Sequence, residues 1–262
     1  RSAEPQASFS ACNQAQPTEM KLVPGLLLIF QSAFSFADEK KVVQQIYDLG
    51  GKIFYKQGQV VEIVLNRTQA KAPIQKFPIH FPHLTDLSLE QTEAGDMDMI
   101  DLAKLFKLEW LNLYRTQVGD EGARHLSRSK SLKHLPIGQT RITDKGIGHL
   151  AQMKQLTYLG LRGNKITDKS APHLAKLIHL EGLYLGETQV TDQTVHKLTQ
   201  LTKLEKLWLH DLLISDDSLN SLAQMKSLQE LHIYATQISP TGFHDLQKSL
   251  PRCRIIHEAL IR

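Results

Sequence analysis

Residues 156–168 read LTYLGLRGNKITD, and the same pattern returns 24 residues later, at 180–192, as LEGLYLGETQVTD. Leu159 and Leu161 are separated by one residue, so their side chains share one face of a short β-strand. The 24-residue frame holds over seven copies without an insertion. Their first leucines are Leu84, Leu108, Leu132, Leu156, Leu180, Leu204 and Leu228. The chain is therefore built from repeated units that each contain one strand.

A helical spacing of apolar residues follows the strand within each unit. The leucines of this second pattern are Leu126, Leu150, Leu174, Leu198, Leu222 and Leu246. A further apolar residue stands three places later in four units, at Met153, Leu177, Leu201 and Met225. Neither a short strand nor a short helix can bury its apolar face alone. Stacked units are therefore predicted to form a parallel sheet on a concave side and helices on a convex side.

A turn of fixed composition joins each strand to its helix, as in Ile166-Thr167-Asp168. The apolar residue is predicted to fill the core. The hydroxyl and the carboxylate suit the N-terminus of the following helix, which favours a capping oxygen and a negative charge. Because the aspartates recur at equal spacing, they are interpreted as a structural ladder and not as catalytic groups.

The combined pattern LxxLxLxxTxITDxG resembles leucine-rich repeats, in particular those of bacterial secreted repeat proteins and the repeat part of F-box proteins. The resemblance covers residues 60–255 and implies an α/β solenoid with N- and C-terminal caps. Threonine replaces the family's usual Asn or Cys at Thr68, Thr92, Thr116, Thr140, Thr188 and Thr236. Asn164 alone keeps the amide and Leu212 breaks the series. A threonine hydroxyl is still expected to bond a neighbouring backbone carbonyl.

The sequence divides into five segments. Residues 1–19 are polar and rich in turn residues, which indicates a disordered stretch or sequence upstream of the true start. Residues 20–37, MKLVPGLLLIFQSAFSFA, have the basic start, apolar stretch and small-residue end of a secretory signal peptide. Residues 38–59 are predicted to form a cap of one helix and a hairpin strand, 60–251 the repeats, and 252–262 a second cap.

Two alternatives for the apolar stretch at 20–37 remain, namely a buried N-terminal helix and a retained membrane anchor. The signal-peptide interpretation predicts an exported protein whose mature form has no stable membrane span. A secretory signal also argues against the ubiquitin-ligase role of F-box proteins. The sequence before the repeats shows no F-box-like helical segment either, so that role is not expected here. Pro73, Pro78 and Pro82 are predicted to replace the helix of the first repeat with an irregular loop.

Composition excludes several classes of function. The net charge is only +4 and no run of five basic residues occurs, which argues against nucleic-acid binding. Two cysteines, Cys12 and Cys253, cannot form a disulfide framework or a four-ligand zinc site. The convex histidines at His125, His149 and His173 are interpreted as helix-face residues and not as metal ligands. No nucleophile, phosphate-loop or metalloprotease motif appears, so neither an enzyme nor a cofactor or metal is predicted.

Residues between and after the strand leucines are expected to project from the concave face. These positions hold both tryptophans and four of the six tyrosines but none of the nine phenylalanines. Aromatic rings with polar tips are typical of binding surfaces. The candidate ligand-binding residues are Trp110, Tyr114, Tyr158, Arg162, Tyr184, Trp208, His210, His232 and Tyr234.

The concave face predicts a non-enzymatic recognition protein that binds a protein or peptide. A carbohydrate or cell-wall binding module remains an alternative, because Trp and Tyr rings also stack on sugars. A purely architectural domain is the third interpretation. The oligomeric state is not determined by the pattern.

Overall fold

The structure, a computed structural model, describes residues 39–68 and 80–257. Within them ten strands form one sheet in chain order. The strands are β1 Lys52–Lys56, β2 Gln59–Val64, β3 Asp86–Ser88, β4 Trp110–Asn112, β5 His134–Pro136, β6 Tyr158–Gly160, β7 Gly182–Tyr184, β8 Lys206–Trp208, β9 Glu230–His232 and β10 Arg254–Ile256. Strands β1 and β2 pair antiparallel. From β2 onward the pairing is parallel, as the repeat predicts.

Short helices alternate with the strands. They are α1 (39–48), α2 Asp98–Leu102, α3 Asp120–Leu126, α4 Asp144–Leu150, α5 Ala171–Leu174, α6 Asp192–Leu198, α7 Leu219–Gln224 and α8 Pro240–Ser249. In two repeats a 3₁₀ turn precedes the helix, at Asp168–Ser170 and Asp216–Ser218. Over the described ranges, no helix combines the length and the apolar character needed to cross a membrane.

The repeat leucines form one continuous core between the sheet and the helices. Leu159 is fully buried and pairs in register with Leu135 on one side and Leu183 on the other. The turn residue Ile166 is fully buried as well. The predicted division of each strand into leucines facing the core and alternate residues facing away is confirmed. The strand frame therefore decides which side chains reach the concave face.

The turn threonines and aspartates connect successive repeats. Thr191 accepts a hydrogen bond from the backbone N–H of Gln193, which caps its own helix as predicted. Asp168 has a role between repeats that the pattern within one unit did not predict. Its carboxylate accepts from the backbone N–H (2.9 Å) and hydroxyl (2.7 Å) of Thr191 and from the hydroxyl of Thr194 (2.6 Å), all in the next repeat. The aspartates thus hold neighbouring units together.

This ladder predicts a pH-dependent contribution to stability. Burial opposes ionisation of Asp168, but the hydrogen bonds donated by Thr194 and Thr191 outweigh it and lower the pKa of the carboxyl. Because the pKa is lower in the folded state, Asp168 stabilises the protein at pH values above its ordinary pKa of about 3.9. That stabilisation is lost as the pH falls through the folded-state pKa. Acid should therefore destabilise the fold progressively below about pH 4.

Asp168→Asn should lower the free energy of unfolding at pH 7 by about 1–3 kcal/mol, because charge-assisted hydrogen bonds are lost. It should also flatten the dependence of that free energy on pH between about 5 and 2. Urea denaturation at several pH values measures both effects. Asp217→Asn, at an exposed aspartate two repeats away, is the control. Equal pH slopes for Asp168→Asn and the unaltered protein would contradict this role of the ladder.

The threonines that replace the family's asparagine bond the backbone as expected. The hydroxyl of Thr116 donates to the carbonyl of Leu113 at 2.7 Å. Equivalent bonds are made by Thr68, Thr92, Thr140, Thr188 and Thr236. Asn164 behaves differently, because its amide donates to Ile137 and accepts from the backbone of Thr140, both in the preceding repeat. The bonds from threonine hydroxyls to backbone carbonyls therefore stabilise single units, whereas the asparagine joins two.

The repeats are flanked by regular structure at both ends of the described residues. Helix α1 and the β1–β2 hairpin precede them, and Gly50 follows the helix in the left-handed conformation, with φ of +79°. Strand β10 pairs in parallel with β9 at the far end. The predictions for segments 1–19 and 20–37 and for the loop prolines Pro73 and Pro78 fall outside the described residues.

Candidate binding face

The strand alternation places the nine candidate residues on the concave face. Eight of them are half-buried, with part of the side chain open to solvent, namely Trp110, Tyr114, Tyr158, Arg162, Tyr184, Trp208, His232 and Tyr234. His210 is the exception at 1% exposure. Most of the candidates therefore combine a firmly packed base with an accessible ring or charge.

Seven rings form one contiguous group, here called the aromatic cluster: His134, Tyr158, Tyr184, Trp208, His210, His232 and Tyr234. Trp208 lies at its centre. Its ring stacks on Tyr184 with centroids 5.4 Å apart, lies 5.6 Å from His232 and meets Tyr158 edge-on at 6.4 Å. Parallel strands in a 24-residue register bring equivalent positions close enough for such contacts, since strands lie about 4.8 Å apart.

Two glycines allow the ring of Tyr158 to lie flat against the sheet: Gly182, its partner on the next strand, and Gly160, two residues later on its own strand. A Cβ atom placed on Gly182 would lie 2.7 Å from Cδ2 of Tyr158, and one on Gly160 would lie 3.2 Å from its hydroxyl oxygen. The ring therefore extends over both glycines and covers the backbone. This burial raises the pKa of Tyr158. Neither glycine was predicted to shape the face, although a glycine opposite a large aromatic residue in the repeat frame is a readable signal.

His210 corrects the expectation that every concave position faces solvent. A Cβ atom on Gly186, two residues after β7, would lie 2.6 Å from Nε2 of His210. The imidazole therefore occupies the space that a side chain at position 186 would fill. The ring stacks on Tyr234 with centroids 4.5 Å apart. Its Nε2 lies 2.7 Å from the hydroxyl of Tyr184, and its Nδ1 lies 2.7 Å from Asp211. His210 therefore positions the half-buried rings of Tyr184 and Tyr234 instead of presenting its own.

Arg162 carries a fixed positive charge beside the cluster. Its guanidinium donates two hydrogen bonds to Oε1 of Glu187, which raises the pKa of Arg162 and lowers that of Glu187. The same guanidinium lies 6.0 Å from the ring centroid of Tyr184. Burial raises the pKa of Tyr184 to about 12, although the charge of Arg162 opposes that rise. Glu187, which the sequence analysis missed, is thus needed to hold Arg162 in place.

A recess of about 260 Å³ opens next to the aromatic cluster. We call it the depression, and its lining residues are Glu90, Asn112, Tyr114, Pro136, Gly138, Tyr158, Gly160, Arg162 and Tyr184. Small residues at Pro136, Gly138 and Gly160 lower the face here, while the tyrosines surround it. The volume lies below the range of about 300–1,000 Å³ that is usual for small-molecule sites. It suits a single side chain of a larger partner.

Trp110 is separated from this arrangement. Within residues 39–68 and 80–257, no ring stacking joins it to the aromatic cluster, and it does not line the depression. Its neighbours in register are Asp86 and His134, neither of which brings a second large ring into contact with it. The structure therefore brings together the depression and the cluster but leaves Trp110 at one side.

Solved structures share the architecture described above. Internalin C2 from Listeria monocytogenes aligns with 75% of this chain and 80% of its own, with a TM-score of 0.60 and 27% sequence identity. The chain is a leucine-rich-repeat protein. A second internalin of that bacterium, inlF, aligns with 74% of this chain and 59% of its own, with a TM-score of 0.56 and 20% identity. No protein-family model and no curated protein matches the sequence.

The internalin-like, leucine-rich-repeat fold limits the functions to be considered. Such folds typically bind proteins and are usually non-catalytic. This repeat protein carries one group of potential metal ligands among its described residues, formed by Glu187, His210 and Asp211 at the edge of the aromatic cluster. Fold alone does not identify a ligand, since function depends on the side chains placed on the scaffold.

Proposed function

We propose that this leucine-rich-repeat protein is an exported, non-enzymatic recognition protein that binds a protein or peptide through its concave face. The observation that carries the proposal is the aromatic cluster lying directly beside the depression. Tyr, Trp and Arg are the residues most enriched at the energetic centres of protein interfaces. Tyr158 and Tyr184 belong to both the cluster and the depression, so one ligand can engage the two together.

The dimensions of the face suit an extended segment of a partner. Strands β4 to β9 are separated by five strand spacings, or about 24 Å. A stretched chain advances about 3.3 Å per residue, so roughly seven partner residues would cover that distance. One of them could place its side chain in the depression between Tyr114 and Tyr158. The half-buried rings are already packed against glycines and each other, so little ordering is required on binding.

Pull-down with the full chain as bait, from the envelope fraction of the source organism, tests the proposed function. The captured component is then purified, and its affinity is measured by calorimetry. Tyr158→Ala in the bait should abolish capture, because Tyr158 belongs to both parts of the site. The control Phe106→Ala removes a ring that is 72% exposed and lies away from the concave face, and it should leave capture intact.

Two outcomes of the pull-down would contradict the proposal. Capture of only a protease-resistant, glycosidase-sensitive component would favour the carbohydrate-binding alternative. Equal capture of a protein by the unaltered bait and by Tyr158→Ala would place the binding surface elsewhere on the chain.

Export rests on the sequence of residues 20–37. A basic Lys21, the apolar stretch at 22–34 and the small residues before Asp38 support cleavage between Ala37 and Asp38. N-terminal sequencing of the protein recovered outside the cytoplasm should therefore begin at Asp38. Soluble cytoplasmic protein that still contains residues 22–36 would contradict the signal-peptide interpretation.

A further inference from the structure

Three potential ligand groups converge at the edge of the aromatic cluster. Glu187, His210 and Asp211 each offer one ligand atom, and these atoms all lie within 4.8 Å of one another. The backbone brings them together, because Glu187 and Asp211 occupy the same turn position of successive repeats. Both have left-handed backbone conformations, with φ of +60° and +55°. This common geometry places the two carboxylates side by side, with the imidazole next to them.

The environment of His210 resembles that of a metal ligand. A ligating histidine usually donates the N–H of its other ring nitrogen to an oxygen, which fixes the ring and the tautomer. In His210, Nε2 lies 2.7 Å from the hydroxyl oxygen of Tyr184, while Nδ1 faces Asp211. The ring is also held between Gly186 and Tyr234. An ion would replace the proton that Nδ1 shares with Asp211, and the imidazole itself need not move.

Glu187 retains an oxygen for an ion despite its ion pair. Both hydrogen bonds from Arg162 go to Oε1, so the guanidinium leaves Oε2 to an ion or to the amide of Gln139, which also bonds this carboxylate. The carboxylates of Glu187 and Asp211 carry two negative charges against the one positive charge of Arg162. The site therefore has a net negative charge when the imidazole of His210 is neutral. Asp211 is exposed, which leaves a route for the ion from solvent.

We propose that Glu187, His210 and Asp211 bind a divalent cation of the zinc class. One imidazole nitrogen with two carboxylate oxygens is a donor set that Zn²⁺ accepts, and three protein ligands leave a position open. Mg²⁺ prefers an octahedron of oxygens and is a poor match for the imidazole. His210 belongs to the aromatic cluster, so the site lies beside the proposed binding surface. The site does not depend on the proposed function, because the ion can bind in the partner's absence.

Calorimetric titration of the metal-free full chain with Zn²⁺ tests the site, with Mg²⁺ titrated in parallel. We expect one Zn²⁺ per chain, a rise in Tm with Zn²⁺, and no comparable effect of Mg²⁺. Asp211→Asn should weaken Zn²⁺ binding at least about tenfold, a loss typical even of groups that only support a metal ligand. Asparagine tolerates the left-handed conformation at this position, so the variant should fold.

Asp217→Asn removes an equivalent charge from an exposed residue of the next turn and should leave the Zn²⁺ affinity unchanged. Glu187→Gln provides a second test, with an expected loss of the same order as that of Asp211→Asn. Absence of Zn²⁺ binding would overturn the proposal. Binding of unchanged affinity in Asp211→Asn and Glu187→Gln would also overturn it, since other histidines would then hold the ion.

Discussion

Trp208→Ala is expected to weaken binding of the partner at least about 30-fold, which corresponds to a loss of about 2 kcal/mol. Trp208 contacts the rings of Tyr184, Tyr158 and His232, so its removal takes the centre out of the aromatic cluster. Anchors at the centre of an interface contribute more than residues at its rim, because they are fully desolvated in the complex. Calorimetry with the purified partner measures the change in Kd.

Two further variants give this experiment its controls. Phe106→Ala removes an exposed ring outside the concave face and should leave the Kd unchanged. Tyr184→Phe keeps the ring that stacks on Trp208 but removes the hydroxyl next to His210, so its effect should be smaller than that of Trp208→Ala. Thermal unfolding of Trp208→Ala should remain cooperative. Loss of folding in that variant would show that the rings are structural and that the partner binds elsewhere.

Leu159→Ala should lower the free energy of unfolding by about 2–5 kcal/mol, the usual cost of truncating a fully buried leucine. Leu159 is fully buried in a central strand and packs between the equivalent leucines of two repeats, Leu135 and Leu183. The shortened side chain leaves a cavity that rigid neighbours on both sides cannot fill. Because stability in a repeat array is shared through neighbouring interfaces, both interfaces of this repeat should weaken. Urea denaturation measures the effect.

The chain supplies a matched control for this substitution. Leu213 is 68% exposed, so Leu213→Ala makes the same chemical change without a core cavity. Its cost should stay within about 0.5 kcal/mol, as for other surface substitutions. If Leu159→Ala costs no more than Leu213→Ala, the strand leucines do not face the core and the assignment of the concave face is wrong.

The fold follows from the sequence because the repeat constrains every unit in the same way. The spacing of leucines specifies which strand residues are buried, and the constant period sets the parallel register. Leu135, Leu159 and Leu183 pair in that register. The threonine hydroxyls and the helix caps could also be predicted, since they depend on residues within one unit. Most of the candidate residues lie on the concave face for the same local reason.

The tertiary structure alone decided the properties that depend on neighbouring repeats. His210 is buried because Gly186, on the adjacent repeat, leaves room for its ring. Asp168 serves the turn of the following repeat and not only its own helix. The depression exists because Pro136, Gly138 and Gly160 have little side-chain volume, whereas Tyr114, Tyr158, Arg162 and Tyr184, which also line it, are large. A pattern within one unit determines the direction of a side chain. How far that side chain extends into solvent depends on the volume of the residues that stacking places next to it. For this reason the sequence predicted which residues lie on the concave face, but not the burial of His210 or the position of the depression.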